Sequence, residues 1–239
     1  MELSLISATY NAIDHIKALA RDVHDQTDQD FSWVIVDGGS TDGTVEFLRS
    51  VARPQDSLIS ERDFGIYDAL NKGIQRSNGR YYVVAGADDR IFPDNVKTLK
   101  RAIASTNADV IAASVKDQDR ILRPNTGSRW RKGQNALISN HSIATAFRKA
   151  LHDDFGWYTR RLPICADQLF VRTVDRGGAT FHFLPEHVAG HFGDAGLTHS
   201  DYFGTLTEFT RVQLKFERYA SAQLMLFAYR CIKNLRKIL

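Results

Sequence analysis

Short apolar runs alternate with helical patterns over the first half of the chain. The runs predict strands at 3–9, 31–36, 57–60, 81–85 and 108–115. Apolar residues at helical spacing predict helices between them, at 11–23, 45–51, 66–76 and 94–104. Strands that alternate with helices in this way are typical of a parallel sheet with right-handed crossovers. The pattern therefore predicts a doubly wound α/β fold.

The second half is less regular. Residues 118–123 are expected to return as a hairpin strand, and 124–134 form a polar, basic loop. The patterns predict helices at 141–151 and 165–175, and one or two short strands within 180–192. We expect one domain over 1–200, with a first half at 1–115 and a second half at 116–200, followed by a tail at 201–239.

The end of the chain predicts a basic amphipathic helix. Five residues fall on one helical face, with basic side chains around them: Leu224, Ala228, Cys231, Leu235 and Ile238, flanked by Arg230, Lys233, Arg236 and Lys237. Such a helix binds a membrane surface, its own domain or a second subunit, and the pattern alone leaves these alternatives open.

Composition narrows the class of protein. The 239 residues are 43% hydrophobic and 25% charged, as in ordinary globular proteins. A net charge of +3 is too small to indicate nucleic-acid binding. Cys165 and Cys231 have neither metal-ligand spacing nor a disulfide framework, which favours a reducing cytosol. Because there is no signal-peptide pattern and no apolar run long enough to cross a bilayer, we expect a cytoplasmic protein, at most attached to the inner face of the plasma membrane.

Acidic residues follow two of the predicted strands. Asp88 and Asp89 end the fourth strand, where they indicate either a solvated turn or a cation site. Asp37 ends the second strand and precedes the turn 38–44, whose amides can accept an anion at a helix start. The turn has the spacing of neither a P-loop nor a dinucleotide fingerprint, and it also suits simple helix capping.

Segments 8–11, 34–44, 60–73 and 87–89 stand in an order and spacing that resembles family-2 glycosyltransferases with the GT-A fold. The resemblance is strongest over residues 2–100. It implies a Rossmann-like, doubly wound, mostly parallel sheet flanked by helices, with a C-terminal helical extension here.

The resemblance also implies roles for individual residues. Those expected to bind the nucleotide sugar are Thr9, Asn11, Asp37, Asp63, Asp68, Asn71, Asp88 and His141. Asp89 and His191 are expected to hold Mn²⁺ or Mg²⁺, which prefer oxygen-rich sites. Asp167 stands where relatives carry the general base, with Ala166 where they often carry Glu.

The implied activity is inverting, metal-dependent transfer from a nucleoside-diphosphate sugar, expected to be a UDP-sugar, to a glycan or lipid-linked saccharide in polysaccharide biosynthesis. Processive relatives carry a Gln-x-x-Arg-Trp element after the general base and several membrane spans. Here Arg129 and Trp130 precede Asp167 and the sequence shows no such span, so transfer is expected to be non-processive. Two alternatives are a nucleotide-sugar-binding scaffold without catalysis and a sugar-nucleotide nucleotidyltransferase, whose glycine-rich basic loop is missing from 8–11. A homodimer is a further expectation.

Overall fold

A computed structural model describes residues 1–139, 142–193 and 201–238. Nine strands in this part of the chain form one sheet. They are β1 (Leu3–Thr9), β2 (Ser32–Asp37), β3 (Ser57–Ser60), β4 (Tyr81–Val84), β5 (Arg90–Ile91), β6 (Val110–Asp117), β7 (Arg120–Leu122), β8 (Thr145–Arg148) and β9 (Phe181–His191).

Helices cover both faces of this sheet. They are α1 (Ile13–His24), α2 (Thr44–Val51), α3 (Ile66–Arg76), α4 (Asn95–Thr106), α5 (Arg129–Lys132), α6 (Leu151–Phe155), α7 (Ala166–Arg176), α8 (Tyr202–Phe216), α9 (Ala220–Lys233) and α10 (Leu235–Ile238). Two short 3₁₀ turns lie at Gly133–Ala136 and Ser142–Ala144. Among the described helices, none is both long and apolar enough to cross a bilayer.

The strand order is β3-β2-β1-β4-β8-β6-β9-β5, with β7 paired to β6. Strands β3, β2, β1 and β4 are all parallel, which confirms the α/β prediction for the first half. The second half is mixed, because β8 runs antiparallel to both β4 and β6. Parallel strands place their carboxyl ends at one edge, where open α/β sheets bind ligands.

The predicted helix over 141–151 is wrong. Strand β8 (Thr145–Arg148) occupies most of that segment, and α6 (Leu151–Phe155) begins where the helix was expected to end. Ala146 and Phe147 are buried between β4 and β6, so the strand has no exposed face. A short run buried on both faces shows no alternation, and its sequence therefore cannot be told from a buried helix.

Two apolar clusters fill the spaces on either side of the sheet. One contains Leu19 of α1, Leu48 of α2 and Leu99 of α4. The other contains Leu70 of α3 and residues of α6, α7 and α8. Each fully buried aliphatic side chain contributes roughly 1.5–3 kcal/mol, so these two layers fix the sheet edge that carries the site.

The predicted C-terminal helical extension is confirmed, and its first helix packs into the domain. Val212 of α8 belongs to the second apolar cluster, so α8 is packed into the domain. In α9 and α10, Leu224 and Leu235 are more than half exposed, whereas Cys231 and Ile238 are only partly exposed. These residues therefore do not share one buried face, because α9 packs on α8 through a different side.

Candidate active site

An open cavity of about 560 Å³ lies at the carboxyl ends of the first three strands. The register aligns Thr9 of β1 with Asp37 of β2, and Asp37 with Ser60 of β3. The loops that leave these strands line the cavity with Tyr10, Gly38, Arg62, Asp63 and Phe64. The first half of the chain therefore brings two aromatic rings, a carboxylate and a guanidinium together.

Gly38 sets the width of this cavity. A Cβ atom at this position would lie 2.8 Å from Oδ2 of Asp63 and 3.4 Å from Cδ2 of Tyr10. Tyr10 and Phe64 are 65% and 78% exposed, respectively, although aromatic rings usually bury most of their surface. Exposed rings beside a carboxylate suit a planar, hydrogen-bonding group such as a nucleobase. The sequence indicated Asp63 but not Tyr10, Arg62 or Phe64; an aromatic residue directly after a strand was the available signal.

Asp37 does not line the cavity, and the expectation that it contacts the base stays a prediction. It is fully buried, and its oxygens accept hydrogen bonds from the amides of Gly39 (3.0 Å) and Ser40 (2.9 Å) and from Oγ of Ser60 (2.8 Å). The hydroxyl of Ser40 also donates to it. A carboxylate at a strand end satisfies the amides of the turn that follows, so Asp37 shapes this loop.

Thr9 and Asn11 flank the same edge. Asn11 has a positive φ of 47°; its amide donates to Oγ of Ser40 (2.7 Å) and its Oδ1 accepts from the amide of Thr41 (2.9 Å). Asn11 thus joins the β1 loop to the β2 loop. The hydroxyl of Thr9 is buried and has no hydrogen-bond partner among the described residues. An unsatisfied buried hydroxyl is costly, which makes Thr9 a candidate ligand contact.

The two aspartates after β4 differ in environment. Asp89 is 1% exposed, and its two oxygens accept hydrogen bonds from the amides of Gly86 (2.7 Å) and Gly193 (3.0 Å). Burial raises the pKa of Asp89 to about 7, although those two hydrogen bonds oppose the shift. Asp88 is only partly buried, and a Cβ added to Gly193 would collide with its carboxylate. Asp89 therefore braces the loop, and Asp88 is the acid placed nearer to solvent.

His191 lies in a second cavity. This cavity has a volume of about 340 Å³, and Asp22, Asp25 and Arg90 also line it. Arg90 forms an ion pair with Asp22 (2.7 Å) there. Neither Asp88 nor Asp89 lines this cavity, and His191 pairs with Arg90 in the register of β5 and β9. The expectation that His191 and Asp89 hold a cation together stays a prediction.

No three His, Cys, Asp or Glu side chains within 1–139, 142–193 and 201–238 converge as a metal cage. A hard cation that is held by one protein carboxylate, phosphate oxygens and water needs no such cage. The partly exposed carboxylate of Asp88 therefore fits a cation that arrives with a diphosphate.

Asp68 and Asn71 of α3 bind the second half of the chain, and Asp68 also contacts the loop that lines the cavity. Oδ1 of Asp68 accepts from Arg160 (2.5 Å). Nδ2 of Asn71 donates to the carbonyl of Tyr158 (2.8 Å), and its Oδ1 accepts from the amide of Tyr158 (3.1 Å). Although burial opposes it, hydrogen bonds from the Phe64 amide and Lys72 lower the pKa of Asp68. These two residues therefore hold the 158–160 segment against α3. The expectation that they line the donor site stays a prediction.

Asp167 lies in the first turn of α7, and a residue of α3 contacts it. The hydroxyl of Tyr67 lies 2.7 Å from Oδ1 of Asp167, and Nε2 of Gln134 lies 3.3 Å from Oδ2. Glu208 of α8 accepts hydrogen bonds from the amides of Ile164 (3.0 Å) and Cys165 (2.8 Å), which fixes the start of the helix. Burial and the neighbouring Asp167 raise the pKa of Tyr67 well above its usual value, so its hydroxyl keeps its proton.

The Tyr67 hydroxyl has two acceptors for one proton. The carbonyl oxygen of Ile164 lies 2.8 Å away, nearly as close as Asp167. When Asp167 is ionised, the hydroxyl donates to it; when Asp167 carries a proton, the hydroxyl can accept that proton's hydrogen bond and donate to Ile164 instead. The pair therefore satisfies both protonation states of Asp167.

An aromatic cluster around the buried His152 lies next to this pair, since Tyr158 contacts both His152 and Tyr67. The ring of His152 stacks on Phe170 (4.3 Å between centroids) and Trp157 (4.8 Å). Its Nδ1 lies 3.0 Å from the carbonyl oxygen of Gly156, which can only accept, so Nδ1 carries the proton and donates. Nε2 of the neutral ring then accepts from the hydroxyl of Tyr82 at 2.7 Å. Burial lowers the pKa of His152 to about 4, which keeps the ring neutral.

His141, expected near the donor sugar, lies outside the described residues.

A family model described as "Glycosyl transferase family 2" matches residues 4–161. A PGL/p-HBAD biosynthesis glycosyltransferase of Mycobacterium bovis is 29% identical over 211 residues, which cover 82% of this chain and 79% of the relative.

Solved structures with low sequence identity show the same fold. A mannosyltransferase of Pyrobaculum calidifontis, in complex with GDP-Man and Mn²⁺, has a TM-score of 0.74 at 19% identity, covering 99% of this chain and 72% of that one. TarS of S. aureus has a TM-score of 0.68 at 18% identity; the match covers 96% of this chain but only 42% of TarS. A shorter TarS chain in complex with UDP-GlcNAc has a TM-score of 0.66 at 19% identity, covering 96% of this chain and 71% of that one.

Proposed function

Because this chain belongs to glycosyl transferase family 2, we propose that it moves a sugar from a UDP-sugar to a hydroxyl of a glycan or lipid-linked saccharide, in one transfer per encounter. One arrangement supports this proposal most strongly. The aromatic cavity and Asp88 belong to the carboxyl ends of β1–β4, and α3, which follows the cavity loop, carries the tyrosine that contacts Asp167. Helix α3 thus connects the cavity proposed for the nucleotide sugar with Asp167, which is proposed to act on the acceptor.

The donor is proposed to lie along the ends of β1–β4. Its base lies between Tyr10 and Phe64, with Asp63 accepting a hydrogen bond from the base and Arg62 near the phosphates. Thr9 supplies its unpartnered hydroxyl to the nucleotide. Stacking on aromatic rings contributes roughly 1–3 kcal/mol per base, which is enough to orient the donor.

Asp88, rather than Asp89, is proposed to hold Mn²⁺ or Mg²⁺ together with the diphosphate. The two oxygens of Asp89 accept loop amides, whereas Asp88 is the partly exposed acid. When bound, the cation stabilises the negative charge that grows on the leaving diphosphate. Asp89 acts on this site by fixing the loop that carries Asp88.

Asp167 is proposed to be the general base. It takes the proton from the acceptor hydroxyl as that oxygen forms a bond to the anomeric carbon and the bond from this carbon to the diphosphate breaks. Attack opposite the leaving group inverts the anomeric configuration. Tyr67 orients the carboxylate before the transfer, and its hydroxyl turns towards Ile164 after Asp167 has taken the proton.

A non-catalytic nucleotide-sugar-binding protein is the second candidate, and Ala166 at the position next to Asp167 is the observation that favours it. One experiment distinguishes a catalytic glycosyltransferase from a protein that only binds the nucleotide sugar. UDP-sugars are supplied with Mn²⁺ and a panel of glycan and lipid-linked acceptors, and product is detected by mass spectrometry. We expect Asp167→Asn to keep donor affinity and lose about 100-fold or more in transfer, which is the range for a general base.

The matched control is Asp154→Asn, which changes an exposed aspartate of α6 in the same way and should transfer normally. Donor binding without transfer by the unsubstituted chain on any acceptor would favour the scaffold. Unchanged transfer by Asp167→Asn would assign the base elsewhere.

A further inference from the structure

Helix α9 and the short α10 present an apolar stripe to solvent. The stripe consists of Leu224, Met225, Tyr229, Ile232 and Leu235, which are 53%, 67%, 55%, 76% and 52% exposed. At about 100° per residue, the four members in α9 fall within an arc of about 140°. Single exposed apolar residues are ordinary, but a contiguous row marks a surface that contacts something else.

The opposite side of α9 is already occupied, so the stripe cannot turn inward. Gln223 is fully buried and its Nε2 donates to the carbonyl of Trp130 (2.8 Å). The ring of Phe227 packs against Phe203 at 6.2 Å between centroids. Arg230 lies over the ring of Phe209 (4.6 Å to the centroid). These contacts fix the rotation of the helix and leave the stripe outward.

The charge around the stripe has one sign. Residues 218–239 contain five basic side chains and no acidic one, whereas the whole chain has a net charge of only +3. The other 217 residues therefore carry a net −2. Four of the five basic residues are exposed: Arg218 just before α9, Lys233 in its last turn, and Arg236 and Lys237 in α10. Apolar side chains bordered by cations match a surface with anionic headgroups over a hydrocarbon layer.

We propose that this stripe and its basic border form a docking surface for a lipid bilayer that contains anionic lipids. A second copy of the chain fits the surface less well, because a two-fold contact places identical patches against each other and would bring the same cations together. An anionic bilayer instead neutralises them. This surface uses none of the donor-site residues, so membrane binding and sugar transfer are separable.

The test is co-sedimentation of the full chain with large vesicles of phosphatidylcholine containing 30% phosphatidylglycerol, compared with pure phosphatidylcholine. We expect at least tenfold stronger partitioning into the anionic vesicles and a loss of binding as salt is raised, since screening weakens the headgroup attraction. Met225→Glu with Ile232→Glu should lower binding about tenfold or more. Both side chains are mostly exposed, so the fold should be retained, which circular dichroism checks.

The matched control is Ile121→Glu, which places the same charge at a 45% exposed residue of β7 outside the stripe and should bind vesicles normally. Lys233→Ala with Arg236→Ala should weaken binding to anionic vesicles only. No binding by the unsubstituted chain, or equal binding to both vesicle types, would overturn the proposal. So would a dimer in sedimentation velocity that Ile232→Glu dissociates, because the stripe would then be a subunit interface. Donor affinity should be unchanged in every variant.

Discussion

Tyr67→Phe removes the hydroxyl that orients Asp167 and leaves the ring in place. The bond is 2.7 Å long, and Tyr67 is 8% exposed, so water replaces the hydroxyl poorly. A hydrogen bond to a charged group contributes about 1.5–3 kcal/mol. If all of it acted on the transition state, kcat would fall by about 10- to 100-fold, since about 1.4 kcal/mol is a factor of ten.

The full loss is not expected. Removing a donor leaves more electron density on the carboxylate, which helps it to take a proton and offsets part of the lost orientation. Gln134 also keeps a contact, although a longer one at 3.3 Å. We therefore expect kcat to fall about tenfold while the donor dissociation constant stays within about twofold, because only interactions that change towards the transition state affect kcat.

The assay is UDP release at saturating donor and acceptor, with donor affinity measured separately by calorimetry. Tyr82→Phe is the matched control, because it also removes a buried phenol hydroxyl. The hydroxyl of Tyr82 bonds His152 and Tyr158 rather than Asp167. This variant should lose stability but keep its kcat. An unchanged kcat in Tyr67→Phe, or a loss of donor affinity equal to the loss in rate, would refute the orienting role.

Four further substitutions test the roles of buried and partly buried groups. Asp88→Asn should weaken Mn²⁺-dependent UDP binding at least tenfold in calorimetry, whereas Asp89→Asn should mainly lower the melting temperature; the reverse result would return the cation to Asp89. Asp37→Ala should cost about 3 kcal/mol or more in urea unfolding, because several buried donors lose their acceptor. The pKa of His152 is lowered by burial from 6.5 to about 4, so the unfolded chain binds the proton first on acidification. His152 should therefore remove about 3 kcal/mol of stability as the pH falls from 6.5 to 4, while Asp89, whose pKa burial raises to about 7, adds stability over the same range. The difference between the profiles of the unsubstituted chain and His152→Gln isolates the histidine, and equal profiles would contradict its contribution.

The sequence was sufficient for the layout of the first half. Strands β1–β4 and helices α1–α3 are local patterns, since each shows its own period and its own turn residues. The positions of Asp63 and Asp88 at strand ends followed from that layout. Strand β8 did not, because burial on both faces removed the alternation that identifies a strand.

The direction in which a side chain points was harder to predict than its position. Asp37 lies at the expected strand end but turns inward to the amides of its own loop, and Asp89 does the same. The contact between Tyr67 and Asp167 joins residues 100 positions apart, so no local pattern carries it. Both outcomes depend on tertiary packing, which spacing along the chain does not specify.

A crystal structure of the chain with UDP and Mn²⁺ tests the central assignment most directly. We expect the uracil ring in the cavity beside Tyr10 and Phe64, within hydrogen-bond distance of Asp63, and the cation on Asp88 and the diphosphate. A nucleotide bound elsewhere, or a cation on other residues, would contradict the assignment of this sheet edge as the donor site.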